Sequence, residues 1–272
     1  DRLQEELLHN VALRVEDTHS ADKFKVSGRG ELHLSILIEN MRREGYELAI
    51  SRPEVITRLV DGVVHEPWES LTVDLEEEHQ GAVMELLGTR KAELKNMQPD
   101  GNGRVRLDYL VPTRGLIGIR STFLTQTSGS GLMYHAVDHY GPRVAGDLAQ
   151  RLRGVLISTD AGMARAYALF NLQERGQLMV GHGAQVYEGM VIGIHARSND
   201  LMVNPLKAKQ LTNIRAAGTD ENIVLTTPVR VTLEYALEFI DDDELVEVTP
   251  ETIRIRKRFL KEHERKKASR AA

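Results

Sequence analysis

The first 53 residues alternate between strand-like and helix-like spacing of apolar side chains. Apolar residues occupy every second position at 11–15, and again at 24 and 26 after a polar, turn-like segment at 18–22, which predicts two paired strands. A helix is predicted next, because apolar residues recur three and four positions apart before Gly45, at Leu34, Leu37, Ile38 and Met41. A strand at 46–50 and a short helix around 3–7 complete a ferredoxin-like β-α-β-β-α-β unit that lacks its first strand. The missing strand favours a truncated chain.

The same order of elements returns over residues 54–141. Apolar residues alternate at 71–75, a helix is indicated at 83–87, and a strand at 92–97 leads into the turn Pro99-Asp100-Gly101-Asn102-Gly103. The next strand carries four apolar side chains on one face, at 105, 107, 109 and 111. A second helix is allowed at 116–123, although Gly115 and Gly118 weaken it, and a last strand covers 132–140. Residues 63–140 are therefore predicted to form a complete ferredoxin-like unit, with Arg52-Pro53 near the boundary.

Beyond Gly141-Pro142 the pattern changes to short strand-like runs separated by glycine, at 155–158, 167–172, 178–180 and 190–195. One amphipathic helix is predicted at 233–240, and a strand at 253–256 would turn Arg254 and Arg256 to one face. We therefore predict an α+β protein with three domains. These are a truncated ferredoxin-like domain at 1–53, a second ferredoxin-like domain at 54–141, and a β-rich C-terminal domain at 142–272.

Composition supports a folded protein and suits a reducing compartment such as the cytoplasm. The chain has 272 residues, 41% of them hydrophobic and 28% charged, and it lacks the run of roughly 20 apolar residues that a membrane span requires. It has no cysteine, which excludes disulfides, thiolate metal sites and a cysteine nucleophile. The first residues show neither a signal peptide nor an initiator Met, so we expect an excised piece of a longer protein.

Positive charge is concentrated at the C-terminal end of an otherwise acidic chain. The net charge is −5, but residues 253–272 contain nine Lys and Arg against two Glu, so this tail carries +7 and residues 1–252 carry −12. The acidic run Asp241-Asp242-Asp243-Glu244 lies just upstream. Two interpretations stay open for the tail: a contact with RNA, or a solvated surface element with an acidic partner in its own fold.

Known catalytic patterns are missing from the sequence. There is no G-x-x-x-x-G-K-[ST] loop, and no Gly-Lys pair, with which to bind nucleotide phosphates, and there is no G-x-S-x-G elbow of a serine hydrolase. His135 and His139 lie four residues apart on a predicted strand, which separates them by about 13 Å, too far to share one metal ion. We therefore predict no catalytic residue, no cofactor-binding residue and no metal site in this chain.

Several segments resemble a specific group of proteins. The run Ser27-Gly28-Arg29-Gly30-Glu31-Leu32-His33-Leu34 resembles the third domain of elongation factor G and its relatives. The segments 97–103, 111–112, 125–131 and 138–140 resemble the fifth domain of the same factors in order and spacing. Within that superfamily, the segments 112–118 and 198–221 resemble the BipA/TypA translational GTPases. The resemblance covers essentially the whole chain and departs at 147–153.

This resemblance implies the C-terminal half of a ribosome-associated GTPase of the bacterial cytoplasm, linked to large-subunit assembly and to growth under cold or other stress. The GTPase domain, with its GTP and Mg²⁺, would precede this chain and would be one of its partners. The other implied partners are the ribosome, ribosomal RNA and transfer RNA. Two alternatives remain at this point: an interaction module that binds an acidic protein through the basic tail, and a stand-alone metal-dependent enzyme that uses His135 and His139.

Three groups of residues are the candidate functional sites. The segment 195–215 is the principal candidate RNA loop, because it carries four bases against Asp200 alone and is rich in uncharged donors; the residues concerned are Arg197, Asn204, Lys207, Lys209, Asn213 and Arg215. The loop has no aromatic residue, so we expect it to read the RNA backbone with little sequence specificity. The second group is Arg254, Arg256 and Lys257 in the basic tail. The third is Gly28, Arg29 and Gly30, where the glycines would permit a sharp turn from strand to helix, and Arg29 would either face the GTPase domain or be a solvated turn arginine.

Overall fold

A computed structural model describes residues 2–20, 22–146, 148, 151–208 and 223–271. The contacts divide the chain into two compact units. The first unit contains Asp1–Ser51, Arg153–Ala236 and Asp242–Ala272, and the second contains Arg52–Leu152 and Leu237–Asp241. Most of the predicted first and third domains therefore belong to one unit, and the boundaries 1–53, 54–141 and 142–272 stay a prediction.

The N-terminal part of the first unit has the predicted order of elements. It consists of α1 (Arg2–Leu7), β1 (Arg14–Asp17), β2 (Phe24–Ser27), α2 (Glu31–Arg43) and β3 (Leu48–Ile50). β1 and β2 form an antiparallel hairpin, and α2 packs Leu37 and Met41 into a small core with Leu13. Gly45 ends α2 in the left-handed conformation (φ 97°), as predicted.

The second unit contains a complete ferredoxin-like fold. Its strands are β4 (Arg58–Val60), β5 (Val63–Glu76), β6 (Glu93–Pro99), β7 (Arg104–Pro112) and β8 (Leu132–Pro142), and its helices are α3 (Gln80–Thr89), α4 (Thr113–Leu116) and α5 (Arg120–Gln126). A 3-10 turn at Glu77–His79 precedes α3. The antiparallel sheet has the order β8-β5-β7-β6, and β4 forms a hairpin with the start of β5.

One face of this sheet packs against α3 and α5. The core side chains are the alternating apolar residues of β5 and β7, together with Val83, Leu87, Ile119 and Phe123. The helix predicted at 116–123 is divided into α4 and α5 because Gly118 takes a left-handed conformation (φ 69°), which a regular helix excludes.

The C-terminal part of the first unit is mainly β. Its strands are β9 (Val155–Ser158), β10 (Gly162–Met163), β11 (Gly176–Leu178), β12 (Gln185–Val186), β13 (Val191–His195), β14 (Leu201–Val203), β15 (Glu244–Val248) and β16 (Ile253–Lys257), with helices α6 (Ala166–Leu172) and α8 (Glu262–Ala271). Helix α7 (Leu233–Phe239) begins in this unit, and its residues from Leu237 onward are assigned to the second unit. One sheet has the order β11-β13-β9-β14, and another joins β16, β15 and β3. β3 therefore extends the hairpin of β15 and β16, with Leu48 opposite Val248.

The strand predicted at 167–172 was wrong, because this segment is helix α6. Tyr167, Phe170 and the small apolar residues between them favour a buried strand by composition. Burial instead follows the helical period, with Leu169 buried and Leu172 partly buried one turn later. No described helix is both long and apolar enough to span a bilayer.

Candidate nucleic-acid interface

The first half of the candidate RNA loop is tied to the sheet by its backbone. The loop 196–200 joins β13 to β14, and Nδ1 of His195 donates to the carbonyl oxygen of Asn199 across it. Gly154 donates its N–H to the carbonyl of Arg197 (2.8 Å). A Cβ on Gly154 would lie 2.1 Å from the carbonyl oxygen of Asn199, so only glycine allows the two chains to approach this closely. These contacts fix the backbone of the loop 196–200, whereas the side chain of Arg197 is exposed to solvent.

A small pocket of about 190 Å³ lies beside this loop. It is lined by Arg175 and Arg197, by the buried ring of His195, and by Glu174 and Asn199 among others. The lining includes two arginines and one glutamate, so basic residues outnumber acidic ones. Such a composition favours an anion over a cation.

The second half of the loop begins with a turn after β14. Oδ1 of Asn204 accepts the N–H of Leu206 (2.8 Å), and the carbonyl of Pro205 accepts the N–H of Arg165 (2.9 Å). This turn leaves the Asn204 amide group and the Lys207 side chain exposed. The structure therefore places Arg197, Asn204 and Lys207 on the surface of one unit; the candidates Lys209, Asn213 and Arg215 lie outside the described residues.

Arg254 and Arg256 share a face of β16, as predicted, but both interact with Glu247 on the neighbouring strand. The Nε–Oε distances are 3.4 Å for Arg254 and 3.1 Å for Arg256. Tyr187 donates its hydroxyl to the same carboxylate (2.6 Å), and burial together with Glu247 raises the pKa of this tyrosine. The side chains of Arg254 and Arg256 are 31% and 19% exposed. Their charge is therefore partly neutralised within the fold.

Lys257 does not reach the surface and is left out of the interface. Its ammonium group lies 2.6 Å from Asp200, 2.9 Å from Asp243 and 3.0 Å from Glu244, and the side chain is 2% exposed. Burial lowers the pKa of Lys257, but the carboxylates, Glu244 foremost, raise it above its usual value. One interpretation of the basic tail was that it pairs with acidic residues of its own fold. Lys257 does so, and two of its partners, Asp243 and Glu244, belong to the acidic run.

Gly28 and Gly30 at the entrance to α2 differ in what surrounds them. A Cβ on Gly28 would lie 2.7 Å from Nδ1 of His33, whereas Gly30 has open space around it and an extended backbone (φ 168°) that any residue can adopt. Arg29 donates its backbone N–H to Nδ1 of His33 (3.2 Å), and the side-chain amide of Asn10 lies within hydrogen-bond distance of Nε2 of the same ring (2.9 Å from Nδ2 and 3.1 Å from Oδ1). Close packing therefore requires glycine at position 28 but not at position 30.

Arg29 lies at the edge of a shallow groove of about 640 Å³. The groove has an apolar wall of exposed side chains, of which Val11 is 98%, Leu32 71% and Ile36 52% exposed. Isolated exposed apolar side chains are common, but three that line one concave surface are typical of a binding site for protein.

The two histidines of the enzyme alternative do not come together. Nδ1 of His135 pairs with Glu69 (2.6 Å), and Nδ1 of His139 pairs with Asp138 (2.6 Å). Among the described residues, a group with the spacing of a metal site forms from Glu76, Glu78 and His79, and neither histidine belongs to it. The two histidines thus give the enzyme alternative no geometric support.

Comparison with known proteins supports the fold described above and identifies the family of the chain. A model of the elongation factor G C-terminus matches residues 63–152, and a model of the TypA/BipA C-terminal domain matches residues 153–262. Curated relatives called "Large ribosomal subunit assembly factor BipA" match nearly all of this chain. The identity is 66% over 271 residues for Escherichia coli K12, 64% over 270 for Salmonella typhimurium and 63% over 270 for Haemophilus influenzae.

The chain covers 45% of the Escherichia coli relative and 44% of the other two, so it spans less than half of their length. The matching part includes the elongation factor G-like segment and the segment that is particular to TypA/BipA proteins. With 66% identity along its whole length and both C-terminal family models in sequence, the chain belongs to the BipA/TypA family and corresponds to its C-terminal part.

Proposed function

We propose that this chain is the ribosome- and RNA-binding part of a ribosome-associated GTPase that acts in assembly of the large ribosomal subunit. The name of the relatives supports the assembly role. GTP binding and hydrolysis, with Mg²⁺, would belong to the part of the protein outside this chain, because the chain lacks a phosphate-binding loop. Cytoplasmic localisation, contact with transfer RNA and a role under cold or other stress are finer proposals that rest on the family resemblance.

The observation that carries the proposal is the placement of Arg197, Asn204 and Lys207. All three are exposed next to strands β13 and β14, whose backbones are fixed in a four-stranded sheet. The segment 195–215 carries four Lys and Arg against one Asp, within a region of strongly negative net charge (residues 1–252). Asp200, the one acidic residue, is already engaged, since its carboxylate accepts the N–H of Val155 and binds Lys257. The Lys and Arg side chains of the loop therefore outnumber its acidic side chains by three.

This chemistry favours contacts with phosphates and 2′-hydroxyls rather than with bases. Arginine and lysine neutralise phosphates, and amide side chains donate to phosphate or ribose oxygens. The loop offers no aromatic ring on which a base could stack. Binding should therefore depend on salt and depend little on sequence. For about three neutralised phosphates of unpaired RNA, log affinity should fall against log salt with a slope of about −2.

A ribosome pelleting assay at several salt concentrations tests the proposal. The variant Lys207→Ala, Lys209→Ala, Arg215→Ala should bind more weakly and show a flatter salt dependence, with an unchanged thermal midpoint. The matched control removes three exposed bases from the hairpin of β1 and β2, at Arg14, Lys23 and Lys25. It changes the net charge equally and should bind as the unsubstituted chain does. Equal binding by both variants would refute the assignment of this loop.

The groove beside Arg29 is the proposed contact with the GTPase part of the protein. Its exposed apolar wall would be covered by that part, and Arg29 at its edge would interact with an acidic or nucleotide-dependent surface. In the full-length protein, Arg29→Ala should reduce ribosome-stimulated GTP hydrolysis, while the control Lys25→Ala should not. Unchanged hydrolysis by the Arg29 variant would refute this contact and support the alternative, in which Arg29 is a solvated arginine of the turn.

A further inference from the structure

We propose that helix α8 is a second RNA-binding surface, and that it binds the phosphates of double-helical RNA. The inference rests on the proposed function, because it assumes that the chain binds RNA. Four side chains of α8 recur at i, i+3, i+4 and i+7: His263, Lys266, Lys267 and Arg270. This spacing places them on one face of the helix, and all four are exposed. The structure thereby separates this cationic face from Arg254, Arg256 and Lys257, which are paired with carboxylates inside the fold.

The opposite face of α8 is anchored to the first unit. Arg265 donates from Nη1 to the carbonyl oxygens of Phe259 (2.8 Å) and Leu260, and its Nη2 contacts the sulfur of Met202 (3.1 Å). The backbone before the helix also packs closely, since a Cβ on Gly189 would lie 2.7 Å from Leu260. Arg265 and Ala268, three residues apart, are both partly buried. The anchored side thus fixes which face of α8 meets solvent.

This anchoring places α8 next to the strand that leads into the RNA loop. Met202 belongs to β14, and Asn204 and Lys207 follow two and five residues after it. Both basic surfaces therefore belong to the same unit and are fixed to the same strand. A single RNA partner with an extended, negatively charged backbone could contact both.

The charges of this face remain available for a partner. Lys266 pairs with Glu262 (2.5 Å), and both side chains are largely exposed, at 67% and 47%. For the other three, no carboxylate partner is found among residues 2–20, 22–146, 148, 151–208 and 223–271. An exposed pair of this kind contributes little energy, so Lys266 can exchange Glu262 for a phosphate. By contrast, Arg254 and Arg256 share Glu247, and Lys257 is enclosed by three carboxylates.

The shape and composition of α8 favour a duplex over a single strand. The stripe spans about 10 Å along the helix axis, given a rise of about 1.5 Å per residue. A nucleic-acid duplex presents one phosphate charge per roughly 1.7 Å of its axis, so each base of the stripe can approach a different phosphate. Single strands are held chiefly by stacking on aromatic rings, and α8 contains no Phe, Tyr or Trp. Duplex RNA is instead recognised through its backbone and shape.

A membrane surface is a poorer partner for the same helix. Helices that lie on lipid bury a face of Trp, Phe or Leu beneath their basic residues. The sequence of α8, EHERKKASRA, contains no large apolar side chain. Electrostatic attraction alone would then have to hold the helix on lipid, whereas on RNA the same charges meet a denser array of phosphates.

The test uses the complete 272-residue chain and a labelled 20-base-pair RNA without loops, with binding followed by fluorescence anisotropy over a range of salt. The variant Lys266→Ala, Lys267→Ala, Arg270→Ala should lose at least about tenfold in affinity at 0.1 M salt, and its salt slope should flatten by about 2 to 3, given about 0.9 per contact. Alanine is a good helix former, so the helix should persist. Circular dichroism checks that it does.

Two further variants sharpen the result. The control Arg14→Ala, Lys23→Ala, Lys25→Ala has the same change in charge and should bind duplex RNA as the unsubstituted chain does. Glu264→Gln removes an exposed negative charge from the edge of the stripe, so it should tighten binding by twofold or more. A role for the stripe in folding alone would not produce this gain.

The outcomes separate this inference from the proposed function. If the α8 variant binds duplex RNA as tightly as the unsubstituted chain, the inference is overturned. If the α8 variant also keeps full ribosome binding while the loop variant loses it, the proposed function is supported and the inference about α8 is not. If the unsubstituted chain binds neither duplex RNA nor ribosomes, both fail. Binding to phosphatidylserine vesicles with no binding to RNA would overturn the inference in favour of a lipid surface.

Discussion

Replacing Lys257 by methionine should destabilise the first unit more than any other single removal of a basic side chain from the tail. The ammonium group bonds to Asp200, Asp243 and Glu244, and it joins the start of β14 to the hairpin of β15 and β16. Methionine keeps most of the apolar stem but removes the charge. Glu244 would then be a fully buried carboxylate that has lost its ammonium partner.

The size of the effect follows from the burial of the partners. Removing one member of a buried ion pair costs about 3–5 kcal/mol, because the other charge stays in a medium of low polarity. Glu244 is 0% exposed and should contribute most of this cost, whereas Asp243 is 63% exposed and should contribute little. Native domains have a free energy of unfolding of only about 5–15 kcal/mol, so this loss would be large.

Hydrogen exchange of the β15 and β16 amides, combined with urea denaturation, measures the effect in the unit that contains the pair. The control Lys261→Ala removes an exposed base four residues away and should change stability by less than about 0.5 kcal/mol. The double variant Lys257→Met, Glu244→Leu should recover at least half of the loss, because the buried carboxylate is removed together with the ammonium group. A loss below about 1 kcal/mol for Lys257→Met would refute the reasoning, since a buried pair would have to cost more than that.

The pH dependence of this effect has a defined sign. The pKa of Lys257 is raised in the folded protein, so its contribution to stability is complete below the unfolded value of about 10.4 and is lost only as the pH rises beyond it. The unsubstituted chain should therefore lose the Lys257 contribution only above about pH 10 in the same denaturation assay.

Three further predictions concern other parts of the molecule. Gly28→Ala should cost about 1–3 kcal/mol because its Cβ would displace His33, whereas Gly30→Ala should stay within about 0.5 kcal/mol in the same denaturation assay; equal effects would contradict the packing argument. Arg42, and Arg43 beside it, lower the pKa of Glu39 to about 2, so the free energy of unfolding should fall as the pH drops from about 5 toward 2. The variant Glu39→Gln should show a smaller fall in this range, measured by denaturation at pH 7 and pH 3. This chain should show no micromolar affinity for GTP in calorimetry, because it lacks a phosphate-binding loop. Such affinity would contradict the proposal that GTP binds to the part of the protein outside this chain.

The ferredoxin-like unit could be predicted from the sequence because its periodicity agrees with its packing. In β5 and β7, alternate residues are apolar and face the helices, so the period of two appears directly in the sequence. Helix α2 was equally clear, since its apolar stripe ends at a glycine. Helix α6 could not be predicted in this way: seven residues, nearly all of them apolar, show no period, and only tertiary packing decides between helix and strand.

The roles of the charged residues were harder to predict, and the reason is strand register. Net charge alone cannot tell Lys257, which is buried, from Lys267, which is exposed. The antiparallel register of β15 and β16 places Glu244 opposite Lys257 and Glu247 opposite Arg254. Opposite charges that face each other across a sheet attract, and both pairs are separated in sequence by the turn at 249–252. A hairpin predicted from the two flanking strands would have paired these residues, and the bases of α8 would have been among those left over.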